Sequence, residues 1–457
     1  MKEIKNDGVQ NGVHTFTPEG YIAPPTELLQ KNLEDFRDKK LGLMMHFGPY
    51  SEWGFIESWA LCDEDKIWSQ KQIDWTKDPD KFKTQYYALN KTFNPVRFDP
   101  ERWAKLAKNA GCRYFLFTMK HHDGFCMYDT DYTDYKISAP DCPYSKSDYP
   151  DLAGSLFKAC RKEGIGVNAY FSKPDWHNED FWENHGIGFE TNRYPTYDTT
   201  KNPEKWENFV KFLHAQVEEI ADKYEPDVLW FDGGWIRAAT NTDPRMEELI
   251  ARIRERHPGI LAANRTVTGC CEDFITPEQT FPPQPLTVPW ESCITIAEHF
   301  SFRFEQKYKS PRTIIHSLIK IVARGGNLAL NITPQPDGGI DHKTYERLAK
   351  LGSWLGTMGD AIYSTRIRAP YQFENIYYTG SKDGKTVYAI RLWENKETAP
   401  KEIRIPLDTD PSKVKKVTLV STGEKLSFRK DGDAVTVSFP DGFCRNEYAD
   451  AIRIELA

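Results

Sequence analysis

Asp227-Val228-Leu229-Trp230-Phe231-Asp232-Gly233-Gly234-Trp235 runs from an apolar stretch of strand length into a carboxylate and two glycines. Val228 to Phe231 can pack on both faces of a parallel sheet, whereas a lone aspartate cannot be buried there cheaply without partners. The reading that satisfies both is a strand whose carboxyl end presents Asp232, with Gly233-Gly234 freeing the turn behind it. In strand–helix–strand enzymes that end of the sheet carries the chemistry. Taken alone, the motif fits an aspartate capping the next turn equally well, so the rest of the chain decides.

Working outward, residues 41–365 alternate between strand-like and helix-like segments. Strands are predicted at Leu43–His46, Tyr114–Met119, Val167–Phe171, Val228–Asp232, Ile260–Asn264, Val288–Cys293 and Asn327–Ile332. Helical spacing falls between them, at Pro100–Ala110, Leu152–Glu163, Trp206–Tyr224, Pro244–His257, Pro311–Arg324 and His342–Met358. Repeated βα units imply a parallel sheet, and this many imply closure. The stretches 50–95 and 264–288 read as long loops, so the barrel is either regular or irregular with a helix missing. After Tyr363 the period becomes two, over Thr386–Trp393, Glu402–Pro406, Val414–Val420, Ala434–Phe439 and Ala451–Leu456, with turn signals between. The expected fold class is therefore α/β: a (β/α)8-like barrel over 1–365, then a C-terminal antiparallel β-sandwich over 366–457.

The 457 residues, 39% hydrophobic and 28% charged, suit a globular chain of two domains. A net charge of −7 supplies no basic field for nucleic acid, and no apolar run is long enough to span a membrane. The first residues carry no apolar signal-peptide core, which reads as cytoplasmic, or as periplasmic or secreted if a signal was removed. Nine scattered cysteines without a C-x-x-C pair argue against a disulfide framework and a structural zinc. Oligomeric state is left open.

Six of the seven predicted barrel strands end in a polar or aromatic group. These are His46, then Lys120-His121-His122-Asp123-Gly124, then Tyr170, Trp230 with Asp232, Asn264 with Arg265, and Trp290 with Glu291. One such residue is ordinarily structural, but a whole rim of them is the pattern of an active site. Adjacent residues on an extended segment face opposite ways, so His121 and His122 are not expected to share an ion, and no metal or other cofactor is assigned. What remains is a neutral pocket of hydroxyl-binding groups and aromatics with two carboxylates, the apparatus of glycoside hydrolysis. Asp232 and Glu291 are the pair, with Glu272, Glu278 and Glu57 on rim loops as fallback acids.

These residues resemble family 29 of the glycoside hydrolases, the retaining α-L-fucosidases. The resemblance rests on Thr118-Met119-Lys120-His121-His122-Asp123-Gly124-Phe125 and Trp230-Phe231-Asp232-Gly233. Pro289-Trp290-Glu291-Ser292-Cys293 and Gly325-Gly326-Asn327-Leu328-Ala329-Leu330-Asn331-Ile332 support it. It implies exo-acting release of terminal α-L-fucose from oligosaccharides or glycoconjugates by double displacement. Asp232 would be the nucleophile and Glu291 the acid/base. His46, His121 and His122 would donate to sugar hydroxyls, with Trp230, Arg265, Tyr170 and Trp59 lining the same subsite. Met44 would contribute an apolar patch for the sugar's methyl group, its alternative being plain barrel core.

The chain departs from the family's pattern at Phe47, at Glu57-Ser58-Trp59-Ala60 and at His299-Phe300-Ser301-Phe302, on loops that would frame the leaving group. Two rivals stand beside this reading. One is a related retaining exo-glycosidase acting on α-L-galactosides. The other is a catalytically inactive carbohydrate-binding homologue, which retention of Asp232 and Glu291 disfavours. The sandwich is expected to brace the barrel.

Overall fold

A computed structural model describes residues 20–70, 77–267 and 269–457. Seven parallel strands form one sheet: β1 (Leu41–Met45), β2 (Tyr114–Lys120), β3 (Gly166–Ser172), β4 (Val228–Asp232), β5 (Leu261–Asn264), β6 (Glu291–Thr295) and β7 (Asn327–Ile332). The spatial order is β5-β4-β3-β2-β1-β7-β6, so β5 and β6 stand at its two edges. The segment between them closes that gap. Ala263 bridges Glu272 on one side, while Ile275 bridges Trp290 and Glu278 bridges Cys293 on the other. An irregular extended piece thus stands where an eighth strand would, and among the described residues no helix lies between β5 and β6. The barrel is of the irregular kind.

The helices that wrap it include α1 (Glu27–Lys39), α2 (Pro100–Asn109), α3 (Leu152–Lys162), α4 (Pro203–Tyr224), α5 (Met246–Arg256), α6 (Pro311–Ala323) and α7 (His342–Met358). In α2, Asp99 caps the first turn by accepting from the Arg102 amide, Pro100 opens the helix, and Trp103, Ala104 and Ala107 are buried. The sequence reading did not foresee α1. Its Leu29, Leu33 and Phe36 join Met44, Tyr114, Leu116, Tyr170, Trp230 and Ala329 in one buried cluster, so α1 plugs the entry end of the barrel.

Side chains inside the barrel stack in layers set by strand register. Tyr114 lies beside Gly42, and Glu291 beside Asn327, at the entry end. Met44 pairs with Leu116, and Trp230 with Tyr170, in the middle. Ser172 pairs with Asp232, and Thr295 with Asn331, at the exit. This corrects one expectation. Glu291 does not end strand six at the rim; it begins β6, four positions before the exit-end Thr295, about 13 Å down the strand. The apolar run Val288-Pro289-Trp290 looked like strand, but it only leads into one.

Eight further strands form the C-terminal part: β8 (Arg366–Phe373), β9 (Ile376–Gly380), β10 (Thr386–Leu392), β11 (Glu402–Pro406), β12 (Val414–Leu419), β13 (Ser427–Asp431), β14 (Ala434–Ser438) and β15 (Ala449–Leu456). They make antiparallel sheets ordered β12-β15-β10-β9-β8 and β11-β14-β13 around a core of their own that includes Tyr378, Trp393, Val435 and Ile452. The sandwich leans on α6 and α7, where His316 Nε2 meets the Tyr448 carbonyl at 3.0 Å and Trp354 Nε1 donates to the Ala449 carbonyl at 3.0 Å. Among the described residues no helix is long and apolar enough to cross a membrane.

Candidate active site

Asp232 ends β4 with 9% of its surface exposed. The Tyr170 hydroxyl donates to its Oδ2 at 2.7 Å, while the Gly233 amide and Arg265 Nη1 donate to Oδ1 at 2.8 and 3.2 Å. Gly233 has φ +86°, and a Cβ there would fall 2.3 Å from the Pro174 ring, so glycine is required for that turn. Burial alone would push the carboxyl up. Arg265, then His122, the Tyr170 hydroxyl and the Gly233 amide outweigh it and hold Asp232 well below the usual carboxylate range. A permanently ionised carboxylate at the exit end is a nucleophile or an anchor for positive charge, not an acid.

Three histidines surround it. His46 follows β1, and its Nδ1 sits 2.8 Å from Asn331 Oδ1 on β7. The Asn331 amide group donates to the Phe300 carbonyl at 2.7 Å, which turns its oxygen toward His46. Nδ1 of His46 therefore carries the proton, and Nε2 is an acceptor. His122 Nδ1 lies 2.6 Å from Ser172 Oγ, whose own hydrogen goes to the Pro174 carbonyl at 2.6 Å, so the same tautomer follows. His122 Nε2 is buried without a hydrogen-bond partner, 3.9 Å from Asp232 Oδ2. Burial, the largest cause, pushes both rings down to about 4 and His121 well below its ordinary value, so all three are neutral at pH 7. The sequence expectation had them donating to sugar hydroxyls. His46 and His122 instead offer lone pairs, and a hydroxyl would donate to them.

His121 and His122 do not face opposite ways. The chain turns after Lys120, the two rings stand 4.2 Å apart between centroids, and His121 takes Ser58 Oγ at 2.5 Å. With Asp232 their ligand atoms fall within 4.8 Å of one another. The geometric argument against a shared ion thus falls away. Asp232 already has Arg265 on one oxygen and the Tyr170 hydroxyl on the other.

Aromatic rings wall the pocket. Tyr170 stacks on Trp230 at 5.3 Å, and half-buried Trp59 meets His122 at 4.8 Å and Trp235 at 5.8 Å. Arg193 lies 4.8 Å over the Trp59 ring and forks onto Asp65 at 2.6 and 2.9 Å. Phe300 lies 4.9 Å from His46. Met44 belongs to the interior cluster beneath, 1% exposed, and partly buried Phe300 packs against that cluster. Phe300 therefore presents the apolar surface toward the pocket, with Met44 behind it.

The carboxylates divide sharply. Glu291 is fully buried at the entry end, with the Tyr114 hydroxyl on one oxygen and Trp230 Nε1 on the other at 3.1 Å. Burial raises it to about 7 against both hydrogen bonds. Both of its oxygens are taken, by Tyr114 and Trp230, and it stands at the start of β6 while Asp232 stands at the end of β4. Glu278, at the end of the gap-closing segment, contacts Arg265 Nη2 and keeps 28% of its side chain exposed. One guanidinium thus joins Asp232 to Glu278. Glu57 is buried, its amide bonded to Ser301 Oγ at 3.0 Å; burial, opposed by Ser301, raises its carboxyl to about 8, and its Oε1 has no hydrogen-bond partner. Glu272 accepts from the Thr266 amide at 3.2 Å and is raised by burial to about 7.

An ionised exit-end aspartate among neutral histidines and stacked aromatics describes a sugar site, and the sequence comparison fixes which kind. The family model described as Alpha-L-fucosidase matches residues 9–360. The chain belongs to the α-L-fucosidase family. It is a glycoside hydrolase of that family, and its relatives bear the same name along most of their length. An α-L-fucosidase of Branchiostoma floridae is 29% identical over 395 residues, 82% of each chain. Among solved structures, α-L-fucosidase isoenzyme 1 of Paenibacillus thiaminolyticus matches with a TM-score of 0.77 at 27% identity, covering 94% of this chain and 100% of that one. The α-fucosidase of Thermotoga maritima in complex with a mechanism-based inhibitor matches at 0.74 and 26%, covering 95% and 100%.

Within this α-L-fucosidase framework, the sequence reading overlooked Ser58, Ser172 and Asn331 as the groups that orient the histidines. Asn331 was visible as part of a structural motif, and its inward register opposite Met44 carried the signal. Trp235 and Phe300 were also quoted in the sequence without a role.

Proposed function

We propose that the protein hydrolyses terminal α-L-fucosides with retention of configuration, Asp232 acting as nucleophile and Glu278 as acid/base. The observation that carries this reading is the shared Arg265, whose two Nη atoms hold Asp232 and Glu278 on the exit rim. A single guanidinium between them fits the roughly 5–5.5 Å carboxyl spacing of retaining pairs. Substrate entry takes Glu278 off Arg265, and the freed carboxylate takes up a proton from solvent before it turns onto the glycosidic oxygen. Asp232 Oδ2 attacks the anomeric carbon as Glu278 delivers a proton to the departing oxygen, leaving a fucosyl ester. Glu278, now a base, takes a proton from water, which attacks the same carbon and frees Asp232. His46 and His122 accept from ring hydroxyls through Nε2, and Phe300 meets the methyl carbon, which can satisfy no buried polar partner.

A second reading of the proton donor has its own support: Glu57 keeps its proton to about 8 and has an unused oxygen. Both readings are tested by release of nitrophenol from 4-nitrophenyl α-L-fucoside, with the anomer followed by NMR. Wild type should give the α-anomer first, and Asp232→Asn should be inactive. Faster turnover of the α-L-galactoside would show that the pocket beside Phe300 takes a hydroxymethyl group. Fucose binding without turnover would mark an inactive homologue.

A further inference from the structure

The backbone that presents Arg265 is strained. The Val267 amide donates to the Asn264 carbonyl at 2.9 Å, so residues 264–267 form a tight turn with Arg265 as its second residue. Thr266, the third, has φ +61°. Turns with positive φ at that place favour glycine or asparagine, and a β-branched residue there is an outlier. The turn also presses on the segment that carries the nucleophile. A Cβ on Gly234 would fall 1.7 Å from Thr266 Oγ1 and 2.7 Å from the Arg265 carbonyl oxygen. The Arg265 amide donates to the Phe231 carbonyl at 3.2 Å.

Two buried ionisable side chains bracket this turn, and neither has a part in the double displacement. Lys173, directly after β3, donates from Nζ to Asn264 Oδ1 at 2.8 Å, and its amide donates to the Asp232 carbonyl at 3.1 Å. Glu272, on the gap-closing segment, accepts from the Thr266 amide through Oε1 at 3.2 Å. The residue before Arg265 is thus held by Lys173 and the residue after it by Glu272. Burial pushes Lys173 down to about 7, against the charges of Asp232 and Glu272. It raises Glu272 to about 7, against the Thr266 amide and the charge of Lys173. Taking such groups out of water is costly, and apolar side chains of similar size would serve folding at least as well. What this pair holds is a strained backbone at the site of reaction.

We propose that Lys173 and Glu272 are positioning residues: together they lock the 264–267 turn so that the Arg265 guanidinium spans Asp232 and Glu278. The inference rests on the fucosidase reading and adds to it two residues that act through Arg265 rather than on the sugar. Nη1 and Nη2 of Arg265 must meet different carboxylates at once. A turn relaxing from φ +61° carries the guanidinium away from one of them, and a shift of about 1 Å suffices to disable a site.

The test is a set of mutant cycles on kcat for 2,4-dinitrophenyl α-L-fucoside. Glu272→Leu and Lys173→Met should each lower kcat by roughly 10–100-fold. Glu272→Gln keeps an acceptor for the Thr266 amide and should stay within a few-fold of the wild type. Glycine adopts positive φ without strain, so adding Thr266→Gly to Glu272→Leu should restore most of the lost rate. In an Arg265→Lys background one ammonium cannot span both carboxylates, so Glu272→Leu and Lys173→Met should each cost about twofold or less. Circular dichroism checks that every variant is folded; if Glu272→Leu is not, the Lys173→Met cycle decides. Equal losses in both backgrounds would mark the pair as supports of the fold alone and overturn the proposal. Full activity in both single variants, or Glu272→Gln as poor as Glu272→Leu, would overturn it too. A wild type inactive on the fucoside would refute the fucosidase reading instead.

Discussion

At the entry end of the barrel Glu291 has Tyr114 and Trp230 on its oxygens and α1 beneath it. At the exit end Asp232 and Glu278 share Arg265, and Glu278 is open to solvent. Both ends contain buried or half-buried carboxyls, but the first is given neutral hydrogen-bond donors and the second a permanent cation. Neutral donors leave burial in charge, so Glu291 is raised to about 7. The guanidinium reverses that outcome for Asp232. The contrast separates a carboxyl that holds its proton among neutral donors from two carboxylates paired with a cation at the rim.

The comparison is broken most violently at Asp232. Asp232→Asn should lower kcat on any fucoside by several orders of magnitude, as steady-state kinetics would record. Next comes Glu278→Gln, which should cost about 10²–10⁴-fold in kcat with poor leaving groups. If Glu57→Gln shows that loss and Glu278→Gln does not, the second reading of the proton donor is the right one.

His46→Ala and His122→Ala each leave a sugar hydroxyl without its acceptor in a buried site, which should cost about 1–3 kcal/mol, or roughly 5–150-fold in kcat/KM. In the wild type, activity should also fall as pH drops towards about 4, where both rings gain a proton and cease to accept.

The smallest expected effect on activity is at the entry end. Folded, Glu291 keeps its proton to about 7, against an ordinary value of 4.5 when unfolded. The folded chain therefore binds more protons between those values, and Glu291's contribution falls as pH rises through that window. Glu291→Gln removes this penalty. Relative to wild type it should gain about 2–4 kcal/mol between pH 4.5 and 8, with kcat within a few-fold. Denaturant titrations at both pH values would show it, and a constant difference would contradict the assignment.

The barrel's strands and helices were legible because buried parallel strands are continuous apolar runs and the helices carry caps such as Asp99. Asp232, the histidines, Trp230 and Arg265 were legible for a related reason, since polar groups at strand ends mark the exit. Glu291 misled because the same rule was applied to a carboxylate at the start of a strand. Its partners, Tyr114 and Trp230, are distant in sequence, and no local pattern announces them. Strands β8, β9 and β13 went unread: β8 lies half exposed, β13 is exposed along nearly all its length, and β9 is buried throughout. The segment 271–279 reads as loop because it pairs only through isolated bridges. The tautomers of His46 and His122 required Asn331 and Ser172 in three dimensions.

The most direct test sets Glu278→Gln beside Glu291→Gln on aryl α-L-fucosides of falling leaving-group pKa. The rim assignment requires Glu278→Gln to fail on poor leaving groups, to approach wild type on 2,4-dinitrophenyl fucoside and to be accelerated by azide, while Glu291→Gln follows the wild type throughout. The reverse pattern, with Glu291→Gln sensitive to the leaving group and Glu278→Gln not, would contradict it.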